Sequence, residues 1–339
     1  MRSALYKQCW LLLIVLLTTV SCNSQSGTMT QADVSDYANT ITEANLKTLV
    51  YTLASDEFEG RKTGENGQKL AAQYLIDFYK EHNVSGAYDD GSYLQKIPKD
   101  FFRGRSANDS ENVVAFIKGS ETPEEYIVIS AHYDHVGMDD DVIYNGADDD
   151  ASGTSAVMLI AAAFQKAVEE GNGPKRSLIF LNVTGEEAGL FGSLFYTEFP
   201  IFPLVNTIAN LNIDMIGRVD EAHKENPEFV YLIGSDKLSS ELHDLSEAAN
   251  TKYTNLQLDY TYNDENDPNR FYYRSDHYNF AKNNIPVIFY FNGVHEDYHK
   301  PTDTADKIRY DLLKKRAQLV FYTTWELANR DERIEVDAK

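Results

Sequence analysis

One stretch of the chain, Tyr126–Gly153, places a concentration of histidines and carboxylates directly after an apolar run. It reads YIVISAHYDHVGMDDDVIYNGADDDASG. The run Tyr126–Ala131 predicts a strand that is buried on both faces of a largely parallel sheet. The imidazoles and carboxylates then lie at the carboxyl end of this strand, where open α/β sheets bind their ligands. Because so many carboxylates repel one another unless a cation lies between them, the stretch predicts a metal site.

Further apolar runs alternate with helical patterns along most of the chain. Those that predict strands are Val113–Ile117, Ser177–Val183, Ile208–Ile213, Phe229–Ile233 and Ile285–Phe291. Apolar spacing predicts helices around Leu46–Leu53, Leu70–Phe78 and Ala305–Ala328. The alternation predicts an α/β fold, a single-domain three-layer helix–sheet–helix sandwich with a mixed, mostly parallel central sheet. The segment Gln257–Tyr273, rich in Asn, Asp and Tyr, is expected to form a loop over the site.

The charge balance excludes one class of partner. Lys and Arg number 31 against 53 Asp and Glu, which gives a formal net charge of −22. Binding to nucleic acid requires a basic face, so we expect no nucleic-acid partner. Most of the acidic surface is expected to serve solubility.

The start of the chain has the proportions of an export signal. Residues 1–21 combine early basic residues with an apolar run too short to span a membrane, which predicts a lipoprotein-type signal peptide. The small residues before Cys22 resemble a bacterial lipobox, so Cys22 is predicted to carry the lipid, with residues 22–31 as a tether and 32–339 as the folded domain. We therefore expect a protein of the bacterial cell envelope that meets the membrane only through this anchor. A secreted soluble form is the alternative.

Three more clusters of metal-binding side chains follow predicted strands. Glu187, beside Glu186, comes shortly after the strand that ends at Val183, Asp214 ends the strand LNID, and His299 follows the strand that ends at Phe291. Zinc favours imidazole and carboxylate ligands, and a two-zinc site needs a bridging carboxylate and about two further ligands for each ion. The residues that supply this number are His132, Asp149, Glu187, Asp214 and His299.

Six motifs, in this order along the chain, resemble those of the secreted zinc aminopeptidases. They are AHYDH, GADDDASG, GEEAGLFGS, NIDMIG, RSDHYNF and YHKPTDT, and the similarity extends from about Asp56 to Ile308. This family of two-zinc exopeptidases also includes glutamate carboxypeptidase II and plasma glutamate carboxypeptidase. The resemblance implies a non-prolyl cis peptide bond between Asp149 and Asp150. The family often inserts a protease-associated domain, for which the interval Gly91–Glu111 is too short.

The resemblance also implies how the ligands are divided between two Zn²⁺ ions. His132 and Asp214 would bind one ion, Glu187 and His299 would bind the other, and Asp149 would bridge both. The implied enzyme is an aminopeptidase that releases residues from a peptide substrate with a free N-terminus.

Four further residues receive roles from the same resemblance. Glu186 would be the general base that activates water between the ions, and Asp134 would orient His132. Tyr298 matches a tyrosine that stabilises the oxyanion in some members. Arg274 matches a position near the substrate terminus, which makes it a candidate for substrate binding.

Three other functions remain open at this point. A carboxypeptidase or dipeptidase of the same family would share the whole metal site. A glutaminyl cyclase has this fold but uses a single zinc ion. A non-enzymatic binding protein on the same fold, such as transferrin receptor, should have lost ligands, whereas this chain keeps all five.

Several polar residues near the motifs are predicted to have other roles. His295 begins the sequence HEDYH, which fits the helix-borne zinc motif H-E-x-x-H, but Asn292-Gly293 before it and Pro301 after it predict a loop. We therefore do not expect His295 to bind metal. His135 has no counterpart among the implied ligands and is expected to have a hydrogen-bonded structural role.

Two more groups of polar residues invite interpretation. The neighbours Ser275, Asp276 and His277 cannot form a catalytic triad, whose members must converge from different parts of the fold, so they are expected to shape the pocket. Asp303 and Thr304 are predicted to cap the last helix.

Overall fold

The computed structural model describes residues 33–337. The predicted signal peptide, the tether and the lipidation site Cys22 lie outside this range. Within it, the order of the elements follows the alternation that the sequence predicts.

Eleven strands occur in the described part of the chain, nine in one sheet and two in a separate hairpin. In chain order they are β1 Ser85–Gly86, β2 Leu94–Ile97, β3 Ser110–Ile117, β4 Thr122–His132, β5 Gly137–Asp139, β6 Val142–Tyr144, β7 Arg176–Val183, β8 Thr207–Ile213, β9 Phe229–Ile233, β10 Gln257–Asp259 and β11 Val287–Phe291. All six predicted strands are present. The last one begins two residues later than predicted, after Pro286, whose nitrogen cannot donate to a neighbouring strand.

The main sheet has the order β1-β3-β7-β4-β8-β11-β9-β10, with β2 also paired to β3. The four central strands β7, β4, β8 and β11 run parallel. Four of the eight strand pairings are antiparallel, namely those of β3 with β1, β2 and β7 and that of β9 with β11. The other four are parallel. The predicted mixed sheet is thus confirmed, and its parallel pairings are those among the four central strands and that of β9 with β10 at one edge.

Eight α-helices accompany these strands in the described residues. They are α1 Val34–Ala38, α2 Glu43–Leu53, α3 Asn66–Glu81, α4 Gly153–Glu169, α5 Phe191–Glu198, α6 Ser240–Ala249, α7 His277–Ala281 and α8 Tyr310–Asn329. The prediction of one helix from Ala305 is wrong at its start, because Ala305–Lys307 is a separate 3₁₀ turn. The segment Ala147–Glu169, which includes α4, is long and apolar enough to cross a membrane by length and composition, but it is mostly buried inside the protein.

The two faces of the sheet are covered by different helices. Helices α3, α4 and α8 pack on one side, and α5 and α7 contact strands on the other. On the second side, Val128 of β4 and Leu181 of β7 share a buried cluster with Tyr196 of α5 and Phe280 of α7. Each buried side chain of this size contributes about 1.5–3 kcal/mol to stability. This packing fixes the central strands, and because they are parallel their carboxyl ends meet at one edge.

Candidate metal centre and active site

Five predicted ligands come together at that edge of the sheet. His132 is the last residue of β4, Asp214 directly follows β8, and Glu187 and His299 lie in the segments that follow β7 and β11. Asp149 lies in the turn just before α4. The convergence results from the parallel order of the central strands, since each strand delivers its following residues to the same place.

The first donor group consists of His132, Asp149 and Asp214. Nε2 of His132 lies 3.1 Å from Oδ1 of Asp149 and 3.6 Å from Oδ1 of Asp214. The other carboxylate oxygen of Asp214 accepts a hydrogen bond from Oγ of Ser275 at 2.6 Å. Ser275 therefore orients Asp214 so that its free oxygen faces the other two donors.

The second donor group contains Asp149, Glu187 and His299. Nε2 of His299 lies 3.0 Å from Oδ2 of Asp149 and 3.2 Å from Oε2 of Glu187. Asp149 thus turns one carboxylate oxygen toward each donor group, Oδ1 to the first and Oδ2 to the second. This is the arrangement that a carboxylate bridging two ions requires.

Several donor atoms of both groups lack hydrogen bonds. Nε2 of His132, Oδ2 of Asp149 and Oε1 of Glu187 are buried and make no hydrogen bond with the described residues. An unsatisfied buried polar group costs about 1–3 kcal/mol, so such atoms require an explanation. Imidazole and carboxylate are ligands of zinc, and the donor set therefore fits zinc well.

The carboxylate of Asp303 holds the turn that carries Asp149. Oδ2 of Asp303 accepts hydrogen bonds from the main-chain nitrogens of Asp148 at 3.0 Å and Asp149 at 3.2 Å. The peptide bond between Asp149 and Asp150 is cis, which confirms the prediction. The prediction that Asp303 caps the last helix is wrong, because α8 begins only at Tyr310 and the side chain turns toward the metal centre instead.

His295 contacts a carboxylate outside both donor groups. Nε2 of His295 lies 3.2 Å from Oδ2 of Asp148, whose other oxygen accepts a hydrogen bond from the nitrogen of Gly217. The motif HEDYH contains no helix, because it lies in turns between β11 and α8. The predicted loop context is therefore confirmed, and Asp148 links His295 to the nitrogen of Gly217.

Asp134 supports the centre by a different route from the predicted one. Nδ1 of His132 makes its hydrogen bond with the main-chain oxygen of Asp134 at 3.1 Å, while the Asp134 carboxylate is 3.8 Å away. That carboxylate instead accepts hydrogen bonds from Oγ1 of Thr63 and from the main-chain nitrogen of Glu186. Asp134 therefore orients His132 through its backbone and fixes the start of the Glu186 loop through its side chain.

The two adjacent glutamates have contrasting surroundings. Glu187 points to the second donor group, where His135 and His299 hold its pKa below the usual value against burial and Asp149. Glu186 lines the open cleft beside Asp149 and Asp214, and its carboxylate has no hydrogen bond or ion pair within the described range. Burial raises the pKa of Glu186 well above its usual value, and the charge on Glu187 adds to the shift, although His132 opposes it. Environments that shift the pKa values of two neighbouring carboxyl groups in opposite directions indicate that the two groups have different roles.

A cleft opens beside the metal centre. Its apolar wall consists of Met215, Phe271, Phe289, Phe291 and Val294. Tyr298 lines the same cleft and stacks on the ring of His299 at 3.9 Å between ring centres. Arg274 lies at the cleft with its guanidinium 4.9 Å from the ring centre of Phe271, and no described residue forms an ion pair with it. The predicted substrate-facing residues therefore share one cavity with the metal centre.

The string Ser275-Asp276-His277 does not converge as a triad. Ser275 bonds Asp214, Asp276 accepts a hydrogen bond from Ser193, and the ring of His277 stacks on Phe289 at 4.8 Å. Each side chain supports a different wall of the site, as expected.

His277 should make the protein sensitive to acid. Burial lowers the pKa of His277 to about 3, whereas the unfolded chain keeps a value of about 6.5. The unfolded state then binds one more proton between these values, so the free energy of unfolding is highest above pH 6.5 and falls by about 1.4 kcal/mol per pH unit toward pH 3. Denaturant unfolding at pH 7, 6 and 5 should show a shallower decline for His277→Phe. An equal slope in both proteins would contradict this assignment.

Sequence reasoning missed two residues that shape the centre. Arg61 is buried, and its guanidinium donates to the main-chain oxygens of Tyr133, after β4, and of Asn145 and Gly146, just before the turn that carries Asp149. Nothing in the pattern around Arg61 signals this role. His135 is the second: neither of its ring nitrogens makes a hydrogen bond, so the expected hydrogen-bonded role is wrong.

Solved structures of other proteins share this fold. The LapA aminopeptidase of Legionella pneumophila superposes with a TM-score of 0.67 at 21% identity, covering 88% of this chain and 75% of that protein. An aminopeptidase from Aneurinibacillus sp. strain AM-1 gives a TM-score of 0.66 at 16% identity, covering 91% and 99%. At this level of identity the similarity establishes the fold.

Proteins that are similar in sequence also have peptidase names. A probable zinc metalloprotease of Pyricularia oryzae is 28% identical over 264 residues, which are 66% of this chain and 51% of that protein. A probable glutamate carboxypeptidase of Arabidopsis thaliana is 35% identical over 105 residues, 31% of this chain and 14% of that protein. The chain spans about half or less of the length of the curated relatives it matches.

Residues 112–324 match the sequence profile of peptidase family M28. This range covers more than half of the chain and includes all five predicted ligands as well as Glu186. The motif-based resemblance is thereby confirmed, and with it the zinc-metallopeptidase type at the level of the family. The chain belongs to peptidase family M28.

Proposed function

We propose that this protein is a two-zinc exopeptidase that acts as an aminopeptidase. The observation that carries the proposal is the orientation of Asp149, whose two carboxylate oxygens face separate donor groups at 3.1 Å and 3.0 Å. One ion would be held by His132, Asp149 and Asp214, and the other by Asp149, Glu187 and His299. Bound zinc would polarise the scissile carbonyl and lower the pKa of the attacking water.

The side chains around the ions would carry the proton transfers. Glu186, free in the cleft beside the first donor group, takes the proton of the attacking water and delivers it to the leaving amine. The hydroxyl of Tyr298 is available for the charge that develops on the carbonyl oxygen. The apolar wall of Phe271, Phe289 and Phe291 accepts an apolar substrate side chain and keeps water away from it.

Two features support a substrate with a free amine. The cleft is rich in carboxylates, with Glu186, Asp149 and Asp214 on one side, so it attracts an ammonium group. The relatives with the same fold from Legionella pneumophila and Aneurinibacillus are named aminopeptidases.

A specific observation favours a second candidate, a dipeptidase or carboxypeptidase. Arg274 lies at the cleft without an ion-pair partner among residues 33–337, so it is free to bind a substrate carboxylate. The Arabidopsis relative is named a probable glutamate carboxypeptidase. In an aminopeptidase, Arg274 would contact the carboxylate only of short peptides.

A small substrate panel decides between these activities. We expect leucine amide and Leu-Gly to be hydrolysed, and their N-acetylated forms to resist. Chelation should abolish turnover and zinc should restore it. In Arg274→Ala, kcat/KM should fall by about 10–100-fold for Leu-Gly and stay unchanged for leucine amide, since a charged hydrogen bond contributes about 1.5–3 kcal/mol. Hydrolysis of acetyl-Leu-Gly but not leucine amide would identify a carboxypeptidase, and a requirement for both free ends a dipeptidase.

The number of ions separates the peptidase from a glutaminyl cyclase. Elemental analysis should find two zinc ions per chain, and a single ion without peptidase activity would favour the cyclase. We also propose that lipid on Cys22 holds the protein on the bacterial cell envelope. The support is the composition of residues 1–21 and the small residues that precede Cys22.

A further inference from the structure

A third histidine lies beside the second donor group. His135 follows β4, three residues after His132, and its side chain is fully buried. Its Nδ1 lies 2.9 Å from Oε1 of Glu187 and 3.8 Å from Oδ2 of Asp149. These three residues form a set of donor atoms that could hold a metal ion.

The surroundings fix the ring of His135 in this position. Gly146 packs directly against it, because a Cβ atom at Gly146 would come within 2.5 Å of the ring atoms Cγ and Cδ2. The main-chain nitrogen of His135 donates to the oxygen of Arg61, and the guanidinium of Arg61 in turn donates to the oxygens of Tyr133 and Gly146. The ring also meets that of His299 edge-on, with 5.8 Å between the ring centres. The ring therefore has little freedom to turn away from Glu187.

The contact with Glu187 is not a hydrogen bond. Nδ1 of His135 and Oε1 of Glu187 are close, yet both are buried atoms that lack a partner with hydrogen-bond geometry. The other ring nitrogen of His135 lacks a partner as well. A buried imidazole without hydrogen bonds, beside two carboxylates that also lack them, indicates that a further group belongs between them.

We propose that Nδ1 of His135 is a ligand of the second ion, together with Asp149, Glu187 and His299. This inference rests on the two-zinc function proposed above. Ligand atoms at the corners of a tetrahedron around zinc, with bonds of about 2.0–2.1 Å, lie about 3.3 Å apart. The separations from His135 to Glu187 and Asp149, and from His299 to the same two residues, are 2.9, 3.8, 3.2 and 3.0 Å. Asp149 and Glu187 therefore lie close to both histidines, at separations near that value.

The consequence is a division of labour between the ions. The second ion would have four protein ligands, as in closed structural zinc sites, whereas the first would have three and keep a position open. The open position lies beside Glu186, which lines the same cleft as Asp149 and Asp214. The second ion should therefore be held more tightly, and the first should be the one that is lost first.

His135→Asn provides the test, because asparagine keeps a polar side chain at this buried position but is a poor zinc ligand. Wild-type protein and variants are loaded with zinc and titrated with a chelator of known affinity, and bound zinc is counted by elemental analysis. His132→Ala identifies the step that belongs to the first ion. We expect His135→Asn to lower the zinc affinity of the tighter site by more than about 100-fold. A residue that only orients a ligand typically changes metal affinity by about 10–100-fold. A smaller loss overturns the inference.

His295→Ala is the matched control, because His295 is also a buried histidine beside a carboxylate but faces Asp148. It should leave both steps unchanged. If His135→Asn fails to fold by circular dichroism, wild-type protein loaded with the NMR-active isotope of cadmium replaces it. If one cadmium ion shows scalar coupling to two histidine rings and the other to one ring, the inference is supported. If each ion shows coupling to a single ring, the inference is overturned.

The same titration separates this inference from the proposed function. If wild-type protein binds two ions and His135→Asn binds both normally, only the inference fails. If wild-type protein binds a single ion, the two-zinc function fails. The inference then survives only if His135→Asn weakens that ion.

Discussion

Glu186→Gln is expected to keep two zinc ions bound while its kcat falls by at least about 10²–10⁴-fold, the usual contribution of general acid–base catalysis. The carboxylate of Glu186 lines the cleft, and no described residue binds it, so its loss should disturb neither donor group. The glutamine keeps the size of the side chain but cannot accept a proton. KM should change much less than kcat, because the lost interaction belongs to the transition state.

Glu187→Gln is the matched control, since it makes the same chemical change one residue later. Its carboxylate lies 2.9 Å from His135 and 3.2 Å from His299, within the second donor group. Zinc content should therefore fall together with activity. Elemental analysis and steady-state kinetics on the two variants give the comparison. A Glu186→Gln protein that loses zinc, or that keeps near-normal turnover, would show that the two roles are exchanged or wrong.

His299→Ala is expected to lose at least one zinc ion and most of its activity. Its Nε2 lies within 3.2 Å of both Asp149 and Glu187, so the substitution removes a donor from the second group. The ring also supports Tyr298 by stacking, so the substitution disturbs the cleft as well. Zinc per chain after gel filtration and kcat/KM for leucine amide are the measurements.

His295→Ala should retain both ions, although the two histidines belong to the same HEDYH sequence. His295 contacts Asp148 and lies outside both donor groups, so its loss should cost stability rather than metal. Thermal unfolding should show a lower midpoint for this variant. Equal zinc loss in His295→Ala and His299→Ala would instead indicate that both histidines bind metal, as in the helix-borne motif.

The strands and the candidate ligands could be recognised in the sequence because their signals are local. A continuous apolar run such as Tyr126–Ala131 has few alternatives to a buried strand, and the run coincides with residues of β4. Carboxylates and imidazoles at the ends of such runs are recognisable as possible metal ligands from their residue types alone. The central parallel strands then bring His132, Asp214 and His299 to one edge without any further information.

The borders of the sheet were less predictable. Strand β3 runs antiparallel to β7, and β9 runs antiparallel to β11, so the sheet is mixed to an extent that the apolar runs do not reveal. Apolar runs show burial, but the direction of a strand depends on the length and course of the connection before it. Apolar spacing likewise does not reveal that Ala305–Lys307 is a 3₁₀ turn separate from α8.

The amino-acid sequence by itself determined which strands form and which histidines and carboxylates are candidate metal ligands, because both signals are local. Only the tertiary structure decided how Asp134 and Asp303 act and that His135 and Arg61 lie beside the donor groups. Asp303 supports the turn at Asp149, and Arg61 bonds Gly146, across long separations in the chain. Such contacts depend on the direction of each side chain after packing, and no periodicity or neighbouring residue encodes that direction.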